Sequence, residues 1–305
     1  MNILFMGTPD FAVPSLEGLL RAGHNIVGVV TQPDKPRGRK MVLTPPPVKA
    51  LALAHGLDVY QPDTLKDGAL LPLLERTRPD LIAVVAYGKL LPGYVLDFPA
   101  RGCINVHGSL LPRWRGAAPI QWSVLAGDRY AGVTTMQMGP GLDTGDMLLQ
   151  YRTEIGPRET AGELFDRLAG AGAQLLCDTI DRLDEIQPTP QDGSQATHAS
   201  MLDKSMAEID WSKPAGQIDC LVRGMNPWPV AWTRLDGQVM KIFAAEPVED
   251  LSGQAGTVLR GKDELLVACG AGAVRVTELQ MAGGKRMASR DYLRGHPVPP
   301  GTRLG

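Results

Sequence analysis

The chain has 305 residues, 44% of them apolar, and a formal net charge of −2. This length exceeds the usual single-core size, so two domains are expected. The near-neutral balance excludes a generally basic coat for nucleic acid and leaves room only for a local basic patch. Cys103, Cys177, Cys220 and Cys269 are widely spaced without a C-x-x-C pair. That pattern predicts reduced thiols in a cytosol rather than a disulfide framework or a zinc site. No apolar run approaches the roughly 20 residues needed to cross a bilayer, and Met1 leads directly into a strand pattern with no signal peptide. The expectation is a cytoplasmic protein without a membrane partner or a bound metal.

Asn2–Met6 reads as a buried strand, Ser15–Ala22 as a helix ended by Gly23, and Ile26–Thr31 as a second strand. This βαβ opening predicts a mostly parallel sheet with helices on both faces. The first turn, GTPDFAVPS, lacks the G-x-G-x-x-G spacing and gives no support to a dinucleotide site. Residues 31 to 49, TQPDKPRGRKMVLTPPPVK, look too polar and proline-rich for sheet or helix. Lys35, Arg37, Arg39, Lys40 and Lys49 oppose one acid there, Asp34, and long loops inside compact domains are usually functional or disordered. The rhythm resumes with a helix over 47 to 55, a strand near Val59, a helix over 68 to 77 and a strand over 80 to 86. Tyr87 and Gly88 follow at the carboxyl end of that strand, where open α/β sheets bind ligands.

The next strand begins the run CINVHGSLLPRWRGAAP, residues 103 to 119. Alternation along a strand puts Asn105 and His107 on the same side. An amide donor beside an imidazole at a strand end suits an oxygen that gains negative charge during a reaction. After a helix near 118 to 126 and a strand over 132 to 138, MGPGLDTGDMLLQ makes a glycine-rich bend holding Asp143 and Asp146. Thr160-x-x-Glu163 is a capping box that opens a helix reaching about Leu183. Residues 187 to 205 are expected to be a linker between a domain over 1–186 and a domain over 206–305. The latter reads as a helix over 215 to 223 and short strands with turn signals, a small β-barrel, with Trp211, Trp228 and Trp232 expected in its core. Its last segment carries Lys285, Arg286, Arg290, Arg294 and Arg303.

INVHGSLLPRWRGAAP followed by GLDTGD closely resembles the signature of formyltransferases that use 10-formyltetrahydrofolate. MGTPDFAVPSL, TQPDKPRGRK, RGMNPWPVAWT and the closing GKRMASRDYLRGH resemble the branch of that family that formylates methionyl-tRNA, and the resemblance spans essentially the whole chain. It implies a Rossmann-like, folate-binding catalytic domain and an OB-like C-terminal domain that helps hold initiator methionyl-tRNA. By motif position it implies Asn105, His107 and Asp143 as catalytic residues. Ser109, Leu110, Leu111 and Pro112, with Tyr87 and Gly88, would hold the folate, and Arg37, Arg39, Lys40, Lys285 and Arg286 would face tRNA. Asp143 can orient the imidazole or receive the amine proton, directly or through water, and the sequence is compatible with each role. A related enzyme formylating a small amine, a hydrolase releasing formate, and an RNA-binding module without activity are the alternatives. The chain is expected to be a monomer.

Overall fold

The computed structural model describes residues 1–38 and 41–305, Arg37 through its main chain only. The chain divides into two compact units. The first comprises Met1–Pro119, Ala131–Thr153 and Phe165–Ala199, and the second Ile120–Tyr130, Glu154–Leu164 and Ser200–Gly305.

The elements of the first half are β1 (Asn2–Gly7), α1 (Val13–Arg21), β2 (Asn25–Val30), β3 (Lys35–Arg37), β4 (Val42–Thr44), α2 (Pro47–Ala54), β5 (Val59–Tyr60), α3 (Leu71–Thr77) and β6 (Leu81–Val85). They are followed by α4 (Gly93–Leu96), β7 (Cys103–His107), β8 (Arg115–Gly116), α5 (Pro119–Leu125), β9 (Tyr130–Gln137), β10 (Met147–Glu154), α6 (Ala161–Asp181) and β11 (His198–Ala199). A seven-stranded sheet runs in the order β10-β9-β7-β6-β1-β2-β5. The pairs β1–β2, β1–β6, β2–β5 and β6–β7 are parallel, whereas β7–β9 is antiparallel. The mostly parallel α/β architecture expected from the βαβ rhythm is therefore present. Its central strands, such as LIAVV in β6, are buried along their whole length because helices cover both faces.

The capping box at Thr160 is formed. The Glu163 main-chain N–H donates to Thr160 Oγ1 at 3.2 Å, and the Thr160 N–H donates to Glu163 Oε2 at 2.9 Å. These bonds satisfy donors that would otherwise be orphaned at the start of α6.

Two expectations about irregular segments are corrected. Within residues 31 to 49, Lys35–Arg37 and Val42–Thr44 pair as an antiparallel ribbon, with Pro36 opposite Leu43. A two-stranded ribbon is all edge, so proline's missing donor costs it little. Residues 187 to 199, expected as linker, are tied into the first unit. Thr189 exchanges main-chain hydrogen bonds with Met147 at 2.9 and 2.8 Å, and β11 pairs in parallel with β8. Their low periodicity reflects dependence on partners distant in sequence, not freedom.

The second unit contains α7 (Ala215–Gly224), strands β12 (Trp232–Leu235), β13 (Gln238–Val248), β14 (Val258–Gly261), β15 (Leu265–Ala268), β16 (Ala273–Met281) and β17 (Met287–Ala288), and α8 (Ser289–Gly295). The strands form an antiparallel half-barrel, β12-β13-β16-β15-β14, with β17 added on β16. Ile218 and Val222 of α7 share a core with Trp211, Met240, Ile242, Val267 and Val276. Trp211 is a core residue as expected, its indole N–H donating to Thr233 Oγ1 at 3.0 Å. Trp228 is not: it is 55% exposed. Flanked by Pro227 and Pro229, which have no N–H for a ladder, it stands outside the strands. Trp232 is half-buried. No helix is long and apolar enough to cross a membrane among the described residues.

Candidate active site

Strand β7 is the foundation of the site. It lies between β6 and β9, with Asn105 opposite Val84 on one side and Met136 on the other, and His107 opposite Thr134. A strand paired on both flanks fixes the direction of its side chains, and alternation sends Asn105 and His107 to one face. Asn105 is 9% exposed, and its carboxamide has no hydrogen-bond partner among the described residues. A nearly buried amide left unpartnered is an available donor.

His107 is held from two directions. Its Nε2 lies 2.8 Å from the Trp114 carbonyl oxygen. A carbonyl only accepts, so Nε2 carries the hydrogen and donates. Nδ1 is thereby turned toward Asp143, whose Oδ2 is 3.6 Å away. That separation is a close approach, longer than a formed hydrogen bond, and such contacts in ligand-free sites often tighten when substrate binds.

Asp143 comes from the bend between β9 and β10. It adopts a left-handed backbone, φ 51°, unusual for a residue with a Cβ. The Gly116 N–H donates to the same Oδ2 at 2.8 Å, fixing the carboxylate beside the imidazole. Two glycines make this approach sterically feasible. A Cβ on Gly145 would stand 1.7 Å from the Gln137 carbonyl oxygen, and one on Gly116 would stand 2.6 Å from that of Ala199. His107 and Asp143, 36 positions apart in sequence, thus meet at the carboxyl end of β7, and Asn105 lies two residues before His107 on the same strand.

The loop after β7 is braced from within. Ser109 Oγ donates to the Arg113 carbonyl at 2.6 Å, and the Ser109 carbonyl accepts from Thr134 Oγ1 at 2.7 Å. The Leu111 N–H donates to Thr134 Oγ1, and its carbonyl accepts from Gln150 Nε2. Leu111 is buried, while Leu110 and Pro112 keep part of their surface exposed. Tyr87 places its ring in the core, where burial pushes the phenol up to about 12. Its carbonyl accepts from Thr8 and Gln32, so it is Gly88, with open space around it, that faces outward. Burial likewise pushes the Cys103 thiol up to about 12 and leaves it neutral at the base of β7.

Among the basic residues, Arg39 and Lys40 lie outside the described residues, and Arg37 is described by its main chain in β3. Lys49 is committed to Asp34 at 2.8 Å, and that bond, with one from Gln61, holds the Asp34 carboxyl below the usual range. In the second unit Arg286 pairs with Glu278 and covers the Phe243 ring at 4.4 Å. Lys285 is exposed and borders a cavity of about 390 Å³ with Met281, Met287, Tyr292 and His296.

Sequence reasoning did not single out the Trp114 carbonyl, the Gly116 amide or Gln191. The first two are main-chain groups, invisible in residue identity. Gln191 stands in the polar stretch read as linker, where nothing in the local pattern distinguishes it.

A family model described as formyl transferase matches residues 1–180, and one described as formyl transferase, C-terminal domain, matches residues 201–297. The methionyl-tRNA formyltransferase of Alkaliphilus oremlandii is 50% identical, covering 100% of both chains. That of Chromobacterium violaceum is also 50% identical, again over 100% of both. Among solved structures, HypX from Aquifex aeolicus in complex with tetrahydrofolic acid aligns with a TM-score of 0.64 at 18% identity. That alignment covers 96% of this chain and 47% of HypX, and at this identity it speaks for the fold alone.

Proposed function

The chain belongs to the formyl transferase family, and from that premise we propose that it transfers the formyl group of 10-formyltetrahydrofolate to the α-amino group of initiator methionyl-tRNA. The observation that supports the reading is the approach of Asp143 to His107 at 3.6 Å, on the strand that also carries the unpartnered amide of Asn105 two residues earlier. The folate supplies the formyl carbon, whose bond to the folate nitrogen breaks as the bond to the amine forms.

The residues present suit that exchange. A free α-amine has a pKa of about 7.7–8, so part of it carries a proton near neutrality and cannot attack. Asp143, its Oδ2 held by the Gly116 amide, is placed to accept that proton or to steady the imidazole that passes it on. Asn105 offers its amide N–H to the carbonyl oxygen as charge builds there. His107, with Nε2 committed to Trp114, has Nδ1 for proton traffic. From the ammonium two protons leave the amine: one goes out to solvent before attack, and the other, released as the new C–N bond forms, is the one the departing folate nitrogen requires, so the pair ends the cycle as it began.

In this reading the folate lies along Ser109, Leu110, Leu111 and Pro112, beside Tyr87 and Gly88. The bracing of Ser109 and Leu111 leaves the exposed edges of Leu110 and Pro112 as apolar contacts. Residues 1–186 carry the chemistry. Residues 206–305 and the cations Arg37, Arg39, Lys40, Lys285 and Arg286 face the tRNA, which needs positive charge against phosphate. Lys285 offers the less encumbered charge of the last two, since Glu278 already pairs with Arg286.

The test is incubation with 10-formyltetrahydrofolate and charged initiator tRNA, with charged elongator tRNA in parallel. Formylation confined to the initiator is expected, and equal formylation of both or release of free formate overturns the assignment. Neutralising Arg37, Arg39 and Lys40 should weaken tRNA use and flatten its salt dependence without changing folate affinity.

A further inference from the structure

The carboxamide of Gln191 has each of its hydrogen-bonding positions filled. Its Nε2 donates to the main-chain carbonyls of Asp143 at 2.9 Å and Gly145 at 2.7 Å. Its Oε1 accepts from Arg115 Nε at 3.0 Å and Nη2 at 2.7 Å. A primary amide has two N–H groups and two lone pairs, and all four are used. The orientation is also unique: turned over, the amide would press its oxygen against two carbonyls and its N–H groups against a guanidinium.

These bonds converge on the residue whose placement matters. Arg115 and Gly116 are adjacent in β8, and both reach Asp143. Gly116 holds the carboxylate directly, whereas Arg115 acts through Gln191 on the backbone of the bend. Asp143 sits at positive φ, a conformation that persists only where the surroundings enforce it. The bend therefore has one fastening at each end of the residue, side chain and main chain.

We propose that Gln191 is a positioning residue for the transfer reaction, clamping the bend at Asp143 and Gly145 to Arg115 so that the Asp143 carboxylate stays beside His107. The proposal rests on the catalytic reading of Asp143. A carboxamide is required because the position must donate to two carbonyls and accept from a guanidinium at once. Asparagine, one methylene shorter, does not span the same partners, and glutamate has no proton for the carbonyls.

The experiment compares single-turnover formyl transfer, KM for both substrates and melting temperature in Gln191→Ala, Asp143→Asn and the double variant. Displacement of a reacting group by about 1 Å costs on the order of 10² in rate. Gln191→Ala should therefore lose about 10–10² in single-turnover rate, with both KM values within about twofold of the parent. In the Asp143→Asn background the same change should cost less than about threefold, because the clamp then has no carboxylate to place. A general folding role would instead lower the melting temperature and multiply fully with Asp143→Asn, and that result overturns the proposal. Parental rates in Gln191→Ala overturn it as well. Parental rates in Asp143→Asn alone would remove the catalytic reading itself, a failure visible without any change at Gln191. If Gln191→Ala does not fold, Gln191→Glu keeps an acceptor for Arg115 but sets a carboxylate oxygen against the two carbonyls in place of the donors, and it must show at least the same rate loss.

Discussion

Replacement of Asn105 by alanine isolates the chemical contribution of the site from its structural one. The Asn105 carboxamide makes no hydrogen bond to other described residues, so truncation strands no partner inside the protein. The main-chain pairings to Val84 and Met136 do not depend on the side chain. The loss of stability should therefore stay near about 1 kcal/mol, the centre of the distribution for single substitutions. Removing one donor from a developing oxyanion costs about 10²–10³ in rate, or roughly 2.7–4 kcal/mol of barrier. Single-turnover transfer by Asn105→Ala should fall by that factor, with tRNA affinity and melting temperature close to those of the parent. Asn105→Asp, nearly isosteric but anionic, should fall further, since it sets charge against charge. A rate within about threefold of the parent in Asn105→Ala would show that this amide does not face the reacting oxygen, and the donor reasoning would have to be abandoned.

Other outcomes follow from the packing around the site. His107→Ala should lose at least about 10² in rate, the usual contribution of a positioned acid–base group, with folate affinity preserved in equilibrium titration. Gly145→Ala places a Cβ 1.7 Å from a carbonyl oxygen, whereas Gly139→Ala meets nothing within 4 Å. The first should destabilise by about 1–3 kcal/mol in urea and lose activity, and the second should do neither. Cys103 and Tyr87 are each pushed up to about 12 by burial, while in an unfolded chain they ionise near about 8.5 and 10. Both stay neutral in the fold, so their contribution is complete below the unfolded values and is lost as pH climbs toward the folded ones. The urea midpoint should thus be insensitive to them up to about pH 8.5 and decline above it, and native Cys103 should resist iodoacetamide. In the second unit Asp219 meets Arg223 at 2.8 Å and Arg158 at 3.2 Å. Asp219→Ala leaves the largely buried Arg223 guanidinium without its carboxylate and should cost about 3 kcal/mol, read as a urea midpoint shift.

Local chemistry made much of this legible before any coordinates. Apolar runs such as LIAVV and the Thr160–Glu163 box are rules acting over a few residues, and both are realised; Asn105 and His107 fall on one strand, as their spacing leads one to expect. Asp143 was reached through resemblance to a motif, because a glycine-flanked aspartate is by itself an ordinary turn former. What stayed hidden was long-range or carried by the main chain. The Trp114 carbonyl that sets the His107 tautomer has no signature in residue type. Gln191 acts across 48 positions on Asp143, and no window of sequence contains both ends of that bond. The ribbon of Lys35–Arg37 with Val42–Thr44 has no signature in the sequence because prolines discourage strands in a sheet interior, and a ribbon has no interior.

The two partners of the His107–Asp143 contact ride on segments of unequal tenacity. His107 belongs to a strand laced to neighbours on either flank, whereas Asp143 hangs from a turn secured by Gly116 and Gln191. Opening that turn exposes little apolar surface and needs far less free energy than parting the sheet. Mild heat or dilute denaturant should therefore silence the catalyst while circular dichroism still records an intact fold, and cooling should restore it without refolding.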